Sequence, residues 1–506
     1  MNEIETDLLV IGGGINGTGI AADAALRGLS VVLCEESDLA SATSSASSKL
    51  VHGGLRYLEQ YEFKLVKEAL KEREVLLKKA PHLIHPLRFI LPHAKHLRPK
   101  WMIRIGMFLY DFLAGKMSLP KSGRVSLVNN IKGAGLIDDF KVGFEYSDCR
   151  IDDARMVLTN ALEAKEAGAT VLIPYRCVAV ERLNGCHIAT LKCQDLSESS
   201  DKTVTIKACA VVNAAGPWVA DVVHNVLDVR VKSAVKLVKG SHIVVPRLYE
   251  GDHAYILQNA DGRIVFALPF GFSDEHQNDF TLIGTTDVNF TGDPRGIAIS
   301  DEERQYLCDL INQYFKHKIS VRDIIWDYAG VRPLYDDNTA DPSKITREYH
   351  LELEDDHGRL PVLSVFGGKI TTYRTLSKHV LDKLKPYFPQ MGECKTASQP
   401  SPGGSAESFA DILAAVKSAY PWLENQHAYH LSASYGMLSL TILGQASSYE
   451  DLGQHFGFHF YEKEARYLIE HEWCDSMESM LWRRSKLGLW LNANEQDQLK
   501  AWLDKV

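Results

Sequence analysis

Apolar and polar positions alternate in recognisable periods along most of this chain. Leu8-Leu9-Val10-Ile11 is a short apolar run closed by Gly12-Gly13-Gly14, and Ile20, Ala21, Ala24 and Ala25 follow at helical spacing. Val31-Val32-Leu33 is a second apolar strand, so the opening predicts a strand–glycines–helix–strand unit. Residues 58–79 have a helical period with mixed charge, and Asp152-Asp153-Ala154-Arg155 opens a helix through Leu162. Strands are predicted at Val171-Leu172-Ile173 and Cys177-Val178-Ala179-Val180, and around Ile188–Leu191 and Val204–Ile206. Ala210–Asn213 reads as a buried strand that ends in Ala214-Ala215-Gly216-Pro217-Trp218. Residues 235–290 hold several β-rich segments, including His242–Val245 and Arg263–Ala267. Leu363–Phe366 followed by Gly367-Gly368 repeats the strand–glycines–helix pattern. Ser398–Ser405 reads as a linker. Beyond it the period is helical, with Trp422, Trp473, Trp482 and Trp490 as packing anchors of a separate domain without chemistry of its own.

Bulk composition narrows the class. Of 506 residues, 45% are hydrophobic and 24% charged, an ordinary globular balance with room for two or three domains. The 56 basic against 65 acidic residues give a net charge of −9, which argues against a general nucleic-acid binder. The nine cysteines contain no C-x-x-C pair, so neither a metal site nor a disulfide framework is expected. Met1-Asn2-Glu3-Ile4-Glu5 runs straight into the first strand and does not read as a signal peptide. No apolar run is long enough to span a bilayer, so any membrane attachment is expected to be peripheral.

Residues 86–125 depart from the acidic average. Arg88, Lys95, Arg98, Lys100, Arg104, Lys116, Lys121 and Arg124 face one acid, Asp111, with Trp101-Met102-Ile103 and Ile105–Tyr110 interleaved. Two readings remain open: a surface for an anionic bilayer, or a core helix with basic ends.

Gly12, Gly14 and Gly17 have the G-x-G-x-x-G spacing, framed by Ile11, Ile15 and Asn16. The first glycine permits a tight turn, the second lets backbone approach a pyrophosphate, and the third lets helix pack on strand. Helix-start N–H groups favour an anion there. Glu35, with Glu36 beside it, ends the second strand where a carboxylate accepts hydrogen bonds from an adenosine ribose. The run from Ser41 to Ser48 is either a solvated linker or a wall whose hydroxyls line the pyrophosphate and ring of a dinucleotide. Arg56, Arg332 and Lys369 sit in or beside glycine- or proline-marked turns and make a cationic pocket. His52 stands beside two glycines as a candidate base, with His242 as its rival. No second fingerprint in strand context appears, so a nicotinamide partner is not expected. Residues alone therefore reach a dinucleotide-binding α/β protein with a cationic pocket.

The combination Ile11–Gly17, Ser44-Ser45-Ala46-Ser47-Ser48-Lys49-Leu50 and His52-Gly53-Gly54-Leu55-Arg56-Tyr57-Leu58-Glu59 resembles the FAD-dependent glycerol-3-phosphate dehydrogenases. So do Lys239–Pro246, Ile283-Gly284-Thr285-Thr286-Asp287 and Phe366-Gly367-Gly368-Lys369. The resemblance covers nearly the whole chain and is strongest to the aerobic, respiratory bacterial branch. It implies an α/β fold like that of D-amino-acid oxidase: a Rossmann FAD-binding domain, a β-rich substrate domain and a C-terminal helical domain. On that reading 1–85, 145–225 and 325–390 bind FAD, 86–144 and 226–324 form the substrate and membrane side, and 400–506 is the helical domain. The resemblance also implies oxidation of sn-glycerol 3-phosphate to dihydroxyacetone phosphate, electrons passed to membrane quinone, a homodimer, and a place on the cytoplasmic face of the membrane.

Residue by residue, the resemblance makes Arg56, Tyr57, His242, Arg332, Arg347 and Lys369 substrate contacts, with His52, Arg332 and Lys369 catalytic. Thr43, Ser44, Ser45, Ser48, Lys49 and Leu50 are expected to run toward the flavin. Val178 resembles the family residue whose backbone contacts the adenine. Ala214, Ala215, Gly216 and Trp218 would form a flavin-side wall, and Gly367, Gly368, Lys369, Ile370 and Thr371 a second helix start near the ring. A glycerol-3-phosphate oxidase that uses oxygen is the alternative within the fold. A catalytically silent, membrane-associated flavoprotein is the alternative outside it.

Overall fold

The computed structural model describes residues 2–93, 99–195, 202–227, 229, 232–259, 262–271, 279–336 and 348–506; the side chains of 2, 56, 59 and 60 lie outside the description. The chain opens on β1 (Asn2–Ile11), α1 (Ile15–Leu26) and β2 (Val31–Cys34), the unit that the opening period predicts. β3 (Leu50–Val51), α2 (Phe63–Lys79), β4 (Ile84–His93), α3 (Lys100–Ala114), β5 (Gly123–Ser126) and β6 (Val142–Ile151) follow. The chain then returns through α4 (Asp153–Glu166), β7 (Thr170–Leu172), β8 (Tyr175–Leu183), β9 (Cys186–Cys193) and β10 (Thr203–Asn213). A second excursion comprises β11 (Val235–Pro246), β12 (Ala254–Gln258), β13 (Ile264–Phe270), β14 (Phe280–Gly284), β15 (Val288–Asn289), α5 (Asp301–Tyr314) and β16 (Trp326–Tyr335). β17 (His350–Glu354), β18 (Val362–Phe366) and α6 (Tyr373–Leu384) complete this part.

The first sheet runs in the order β17-β18-β10-β1-β2-β7, with β9 beside β10 and β8 beside β9. β18, β10, β1, β2 and β7 are parallel. Parallel strands need cover on both faces, and β1 shows why its run is apolar at every position. Leu8 and Val10 pack with α1, α4 and α6 on one side, while Leu9 and Ile11 pack with Val222 and Val226 on the other.

The second sheet runs β15-β11-β14-β13-β12-β4-β6-β3, with β16 on β11 and β5 on β6. Its faces bury separate cores, one with Leu307, Ile311 and Phe315 around α5, the other with Val66, Leu70, Met107 and Tyr110 of α2 and α3. Residues 326–335 belong to this sheet rather than to the cofactor-binding stretch 325–390 that the sequence suggested. β16 pairs with β11 in the register Val238↔Arg332 and Gly240↔Gly330, a long-range pairing that no local period reveals. The helical period over 58–79 also divides: a 3₁₀ turn spans Leu55–Gln60, Tyr61 takes φ of 61°, and α2 starts at Phe63.

The C-terminal region is helical, with its own core around Leu431, Ile442, Leu468 and Met480, against which Trp422, Trp482 and Trp490 pack. Trp473 instead packs on the core of the first sheet. Trp482 also stacks on Trp326 of β16 at 4.8 Å. Buried ion pairs Arg155–Glu472, Arg484–Asp38 and Lys486–Asp152 tie the region to the first domain. Among the described residues, no helix is long and apolar enough to cross a membrane.

Candidate active site

The site is built outward from the end of β1. Gly12 takes φ of 112°, and a Cβ there would stand 2.6 Å from the Ala214 carbonyl oxygen. A Cβ on Gly17 would stand 1.9 Å from the Gly12 carbonyl oxygen, so this third glycine serves the packing of helix on strand and not the cavity wall. Gly14 caps α1 without a side-chain acceptor, and no acidic residue occupies the first turn. The positive end of the helix is left for a bound anion. Ser44 Oγ accepts from Ile15 N at 3.0 Å and so brings the serine-rich run against this helix start.

One continuous cleft runs from there in two directions. Toward one end stands Glu35, whose carboxylate accepts from Gly13 N at 2.7 Å and Ser37 N at 2.9 Å. Desolvation pushes its pKa up to about 7 despite those donors. Cys34, Tyr175, Arg176, Cys177, Val222 and Val226 wall this end. Val178 is not among the wall residues, and β8 carries a bulge between its neighbours Cys177 and Ala179.

Toward the other end, two segments converge. Ala214, Ala215 and Gly216 line one flank and Gly367, Gly368, Lys369, Ile370 and Thr371 the other, whereas Trp218, expected on the flavin side, stands 5.2 Å from the Arg295 guanidinium that pairs with Glu36 and so belongs to the Glu35 end. Asn16 Nδ2 donates to the Gly367 carbonyl at 3.2 Å, holding the second glycine turn on α1. Asn16 Oδ1 is buried without a donor among the described residues. Ile11, Gly12, Gly14, Ile15, Asn16, Glu36, Thr43, Ser44, Ser48 and Leu50 also lie on the wall, whereas Ser45 and Lys49 do not. Lys49 is turned into the protein: its ammonium pairs with Asp153 at 2.8 Å and donates to the Ser45 carbonyl at 2.9 Å.

The cationic and imidazole groups gather at this second end. His52, Tyr57, His242, Arg332 and Lys369 share the wall although they come from four different segments. Lys369 Nζ sits 4.0 Å from the centre of the Tyr57 ring. Burial, reinforced by the Lys369 charge, pulls the His52 pKa down to about 4, so its imidazole is neutral at pH 7. His242 is stacked on Tyr328 at 4.8 Å and its Nε2 meets Ser48 Oγ at 2.9 Å. Burial lowers its pKa well below the usual value too. Arg332 Nη2 donates to the Thr286 carbonyl at 2.9 Å. A Cβ on Gly240 would stand 2.3 Å from that Nη2, so the glycine makes room for the guanidinium. Arg347 and the side chain of Arg56 lie outside the described residues.

Taken together, a helix start without an acidic residue, a desolvated carboxylate on one side and a mixed basic and imidazole pocket on the other suit an elongated dinucleotide with a reactive ring. A family model described as "DAO: FAD dependent oxidoreductase" matches residues 7–374. The chain belongs to this family of FAD-dependent oxidoreductases. A second model, "C-terminal domain of alpha-glycerophosphate oxidase", matches residues 394–504 of the flavoenzyme.

The flavoenzyme is 49% identical to the aerobic glycerol-3-phosphate dehydrogenase of Escherichia coli K12, over 98% of this chain and 97% of that protein. It is 46% identical to the D-erythritol 1-phosphate dehydrogenase of Brucella abortus, over 100% of this chain and 99% of that protein. Among solved structures, the glycerol-3-phosphate dehydrogenase of Bacillus halodurans complexed with FAD is 27% identical and superposes with a TM-score of 0.77, over 99% of this chain and 90% of that one. The resident cofactor is FAD, and the architecture is that of the D-amino-acid-oxidase-like flavoproteins.

Several wall residues were not among the expected site residues, although Gly240 and Thr285 lie in motifs that carry the resemblance. Arg295 stands in a segment without a motif, and Thr285 and Gly240 reach the wall only because β11 and β14 are paired. Arg176 was within reach of a reading, since it lies two residues before Val178.

Proposed function

We propose that the protein oxidises sn-glycerol 3-phosphate to dihydroxyacetone phosphate. The single observation that carries this reading is the meeting of His52, His242, Arg332 and Lys369 at one end of a dinucleotide cleft. Near full-length similarity to dehydrogenases of glycerol 3-phosphate and erythritol 1-phosphate supports a small polyol phosphate as substrate. Bound FAD supplies a two-electron acceptor at its N5.

The chain's own groups do the rest. A phosphate of charge about −2 needs fixed cations; Lys369, Arg56 and Arg347 hold it, with Tyr57 beside Lys369. Arg332 lies against the hydroxyl-bearing carbon, where its guanidinium stabilises the developing alkoxide. His52, neutral at pH 7, takes the hydroxyl proton. His242 is the rival base, but its Nε2 is already engaged with Ser48.

Electrons then pass to a membrane quinone. Support comes from α3, which buries only Met107 and Tyr110. Trp101 (63% exposed), Ile105 (51%), Phe108 (68%) and Phe112 (71%) form an open stripe at helical spacing. A core helix would bury such a stripe; a peripheral membrane helix with Lys100 and Arg104 beside it would not. On this reading the enzyme works at the cytoplasmic face of the membrane as a homodimer.

Anaerobic mixing with glycerol 3-phosphate, erythritol 1-phosphate, glycerol and glycerate 3-phosphate tests the substrate. Bleaching of the oxidised flavin by glycerol 3-phosphate in preference to the others supports the reading, and bleaching by erythritol 1-phosphate alone replaces it. Reoxidation in lipid vesicles by a quinone analogue against oxygen tests the acceptor. Fast peroxide formation without quinone favours the oxidase.

A further inference from the structure

The Glu35 end of the cleft is crossed by a segment from the other half of the molecule. Residues 290–299, between β15 and α5, are anchored at both ends in the second sheet. Phe290 N donates to the Leu237 carbonyl at 2.9 Å, and Ile299 is buried in the core under α5. Between these anchors the segment reaches over to β2. Arg295 Nε and Nη2 lie 3.1 and 2.9 Å from Glu36 Oε1, and its Nη1 lies 2.8 Å from Asp293 Oδ2. Its guanidinium stands 5.2 Å from the centre of the Trp218 ring, and Trp218 Nε1 donates to Asp293 Oδ1 at 3.0 Å. Arg176 Nε completes the group, 3.5 Å from Glu36 Oε2. Glu36, Arg176, Trp218 and Arg295 all lie on the cleft wall.

We propose that this bridge is a latch on the adenosine half of FAD: the cofactor leaves only when Arg295 lets go of Glu36 and Trp218. The inference rests on the dinucleotide lying with its ribose at Glu35. Each exposed pair by itself contributes little. Here one planar guanidinium is shared by two carboxylates and an indole face, and the partners come from both domains. Opening therefore means separating the 290–299 segment from the first domain, which makes the latch an element of cofactor retention rather than of the chemistry.

The test is the rate of FAD release from holoenzyme, read as the rise of free-flavin fluorescence after a large dilution. Arg295→Ala is expected to speed release roughly three- to tenfold, the range of a lost exposed network with its cation–π contact. Glu36→Gln is expected to speed it similarly, and the double variant no more than either single one. Salt should accelerate release from the unaltered protein but not from Arg295→Ala. Arg304→Ala, which removes a surface arginine paired with Asp301 and Asp327 off the cleft wall, is the control and should leave release unchanged. If Arg295→Ala fails to fold, Arg295→Lys is read the same way, because it keeps the charge and loses the fork. Unchanged release in the Arg295 variants, additive effects with Glu36→Gln, or an equal effect of Arg304→Ala overturns the latch.

Discussion

Arg332 Nη2 lies 2.9 Å from Asp287 Oδ1, and the Thr286 carbonyl between them accepts from the same nitrogen at 2.9 Å. The arginine on β16 is thus held by the loop that follows β14. That loop is itself held by Glu303 at the start of α5, whose buried carboxylate accepts from Thr286 Oγ1 at 2.7 Å and from Ser241 Oγ at 2.9 Å and pairs with Lys239 at 2.6 Å. A guanidinium fixed by so many partners is set before substrate arrives. Preorganised charge of this kind loses nothing to reorganisation as an alkoxide develops.

Replacing Arg332 by Met should slow anaerobic flavin reduction by glycerol 3-phosphate by roughly 10²–10³-fold, the range for a lost charge-stabilising donor. Flavin content should not change. Stopped-flow reduction together with the absorbance spectrum of the purified variant checks both.

Gly240→Ala acts on the same group from the backbone side. Its Cβ would fall 2.3 Å from Arg332 Nη2 and 2.6 Å from Thr285 Oγ1. The guanidinium must move, and a displacement of about 1 Å is enough to cost up to ~10²-fold. The expected outcome is a large loss in kcat/KM with FAD retained and little change in Tm.

The His52 proposal has a definite pH dependence. Its pKa of about 4 lies below the usual value through burial first and the Lys369 charge second. Flavin reduction should therefore rise with pH through about 4 and stay level toward neutrality as far as this group is concerned. Lys369→Met removes a positive neighbour, so the acid limb should move to higher pH. The pH–rate profile of anaerobic reduction reads the shift. A limb that stays put would mean that another group takes the proton.

Glu472→Ala tests the attachment of the helical region. Arg155 and Glu472 are both buried, and Arg155 Nη2 donates to Glu472 Oε1 at 2.9 Å. Removing the carboxylate strands a buried charge, at a cost of about 3–5 kcal/mol. Urea denaturation should show that loss, and Glu472→Gln a smaller one.

Phe108→Asp with Phe112→Asp should abolish binding to vesicles of anionic lipid while leaving anaerobic flavin reduction in solution unchanged. Both rings are exposed and stand 6.4 Å apart on α3, on the opposite side from Met107 and Tyr110 in the core. Vesicle co-sedimentation checks the first result and stopped-flow the second.

What was legible in the sequence follows from how local each signal is. The strand–glycines–helix pattern at Gly12–Gly17 and again at Gly367–Thr371 is written in consecutive residues, and both places lie on the cleft wall. The helix from Asp152 was legible for the same reason: Asp152 accepts from Arg155 N at 3.0 Å as an N-cap. Lys49 shows the limit. Its position in a serine-rich run suggested the flavin, yet its side chain pairs with Asp153, 104 residues away. The membership of β16 in the second sheet and the reach of Arg295 to Glu36 depend likewise on partners distant in the chain. No period or motif carries such pairings. The tail looked independent because its core is its own, while the buried pairs that attach it join single residues across hundreds of positions.

The most direct test of the central claim is an anaerobic titration of the purified yellow protein with glycerol 3-phosphate, following the oxidised-flavin absorbance. Complete bleaching, with dihydroxyacetone phosphate formed in amounts equal to the flavin reduced and none with glycerol, is the predicted result. An absorbance that does not change at saturating glycerol 3-phosphate would contradict it.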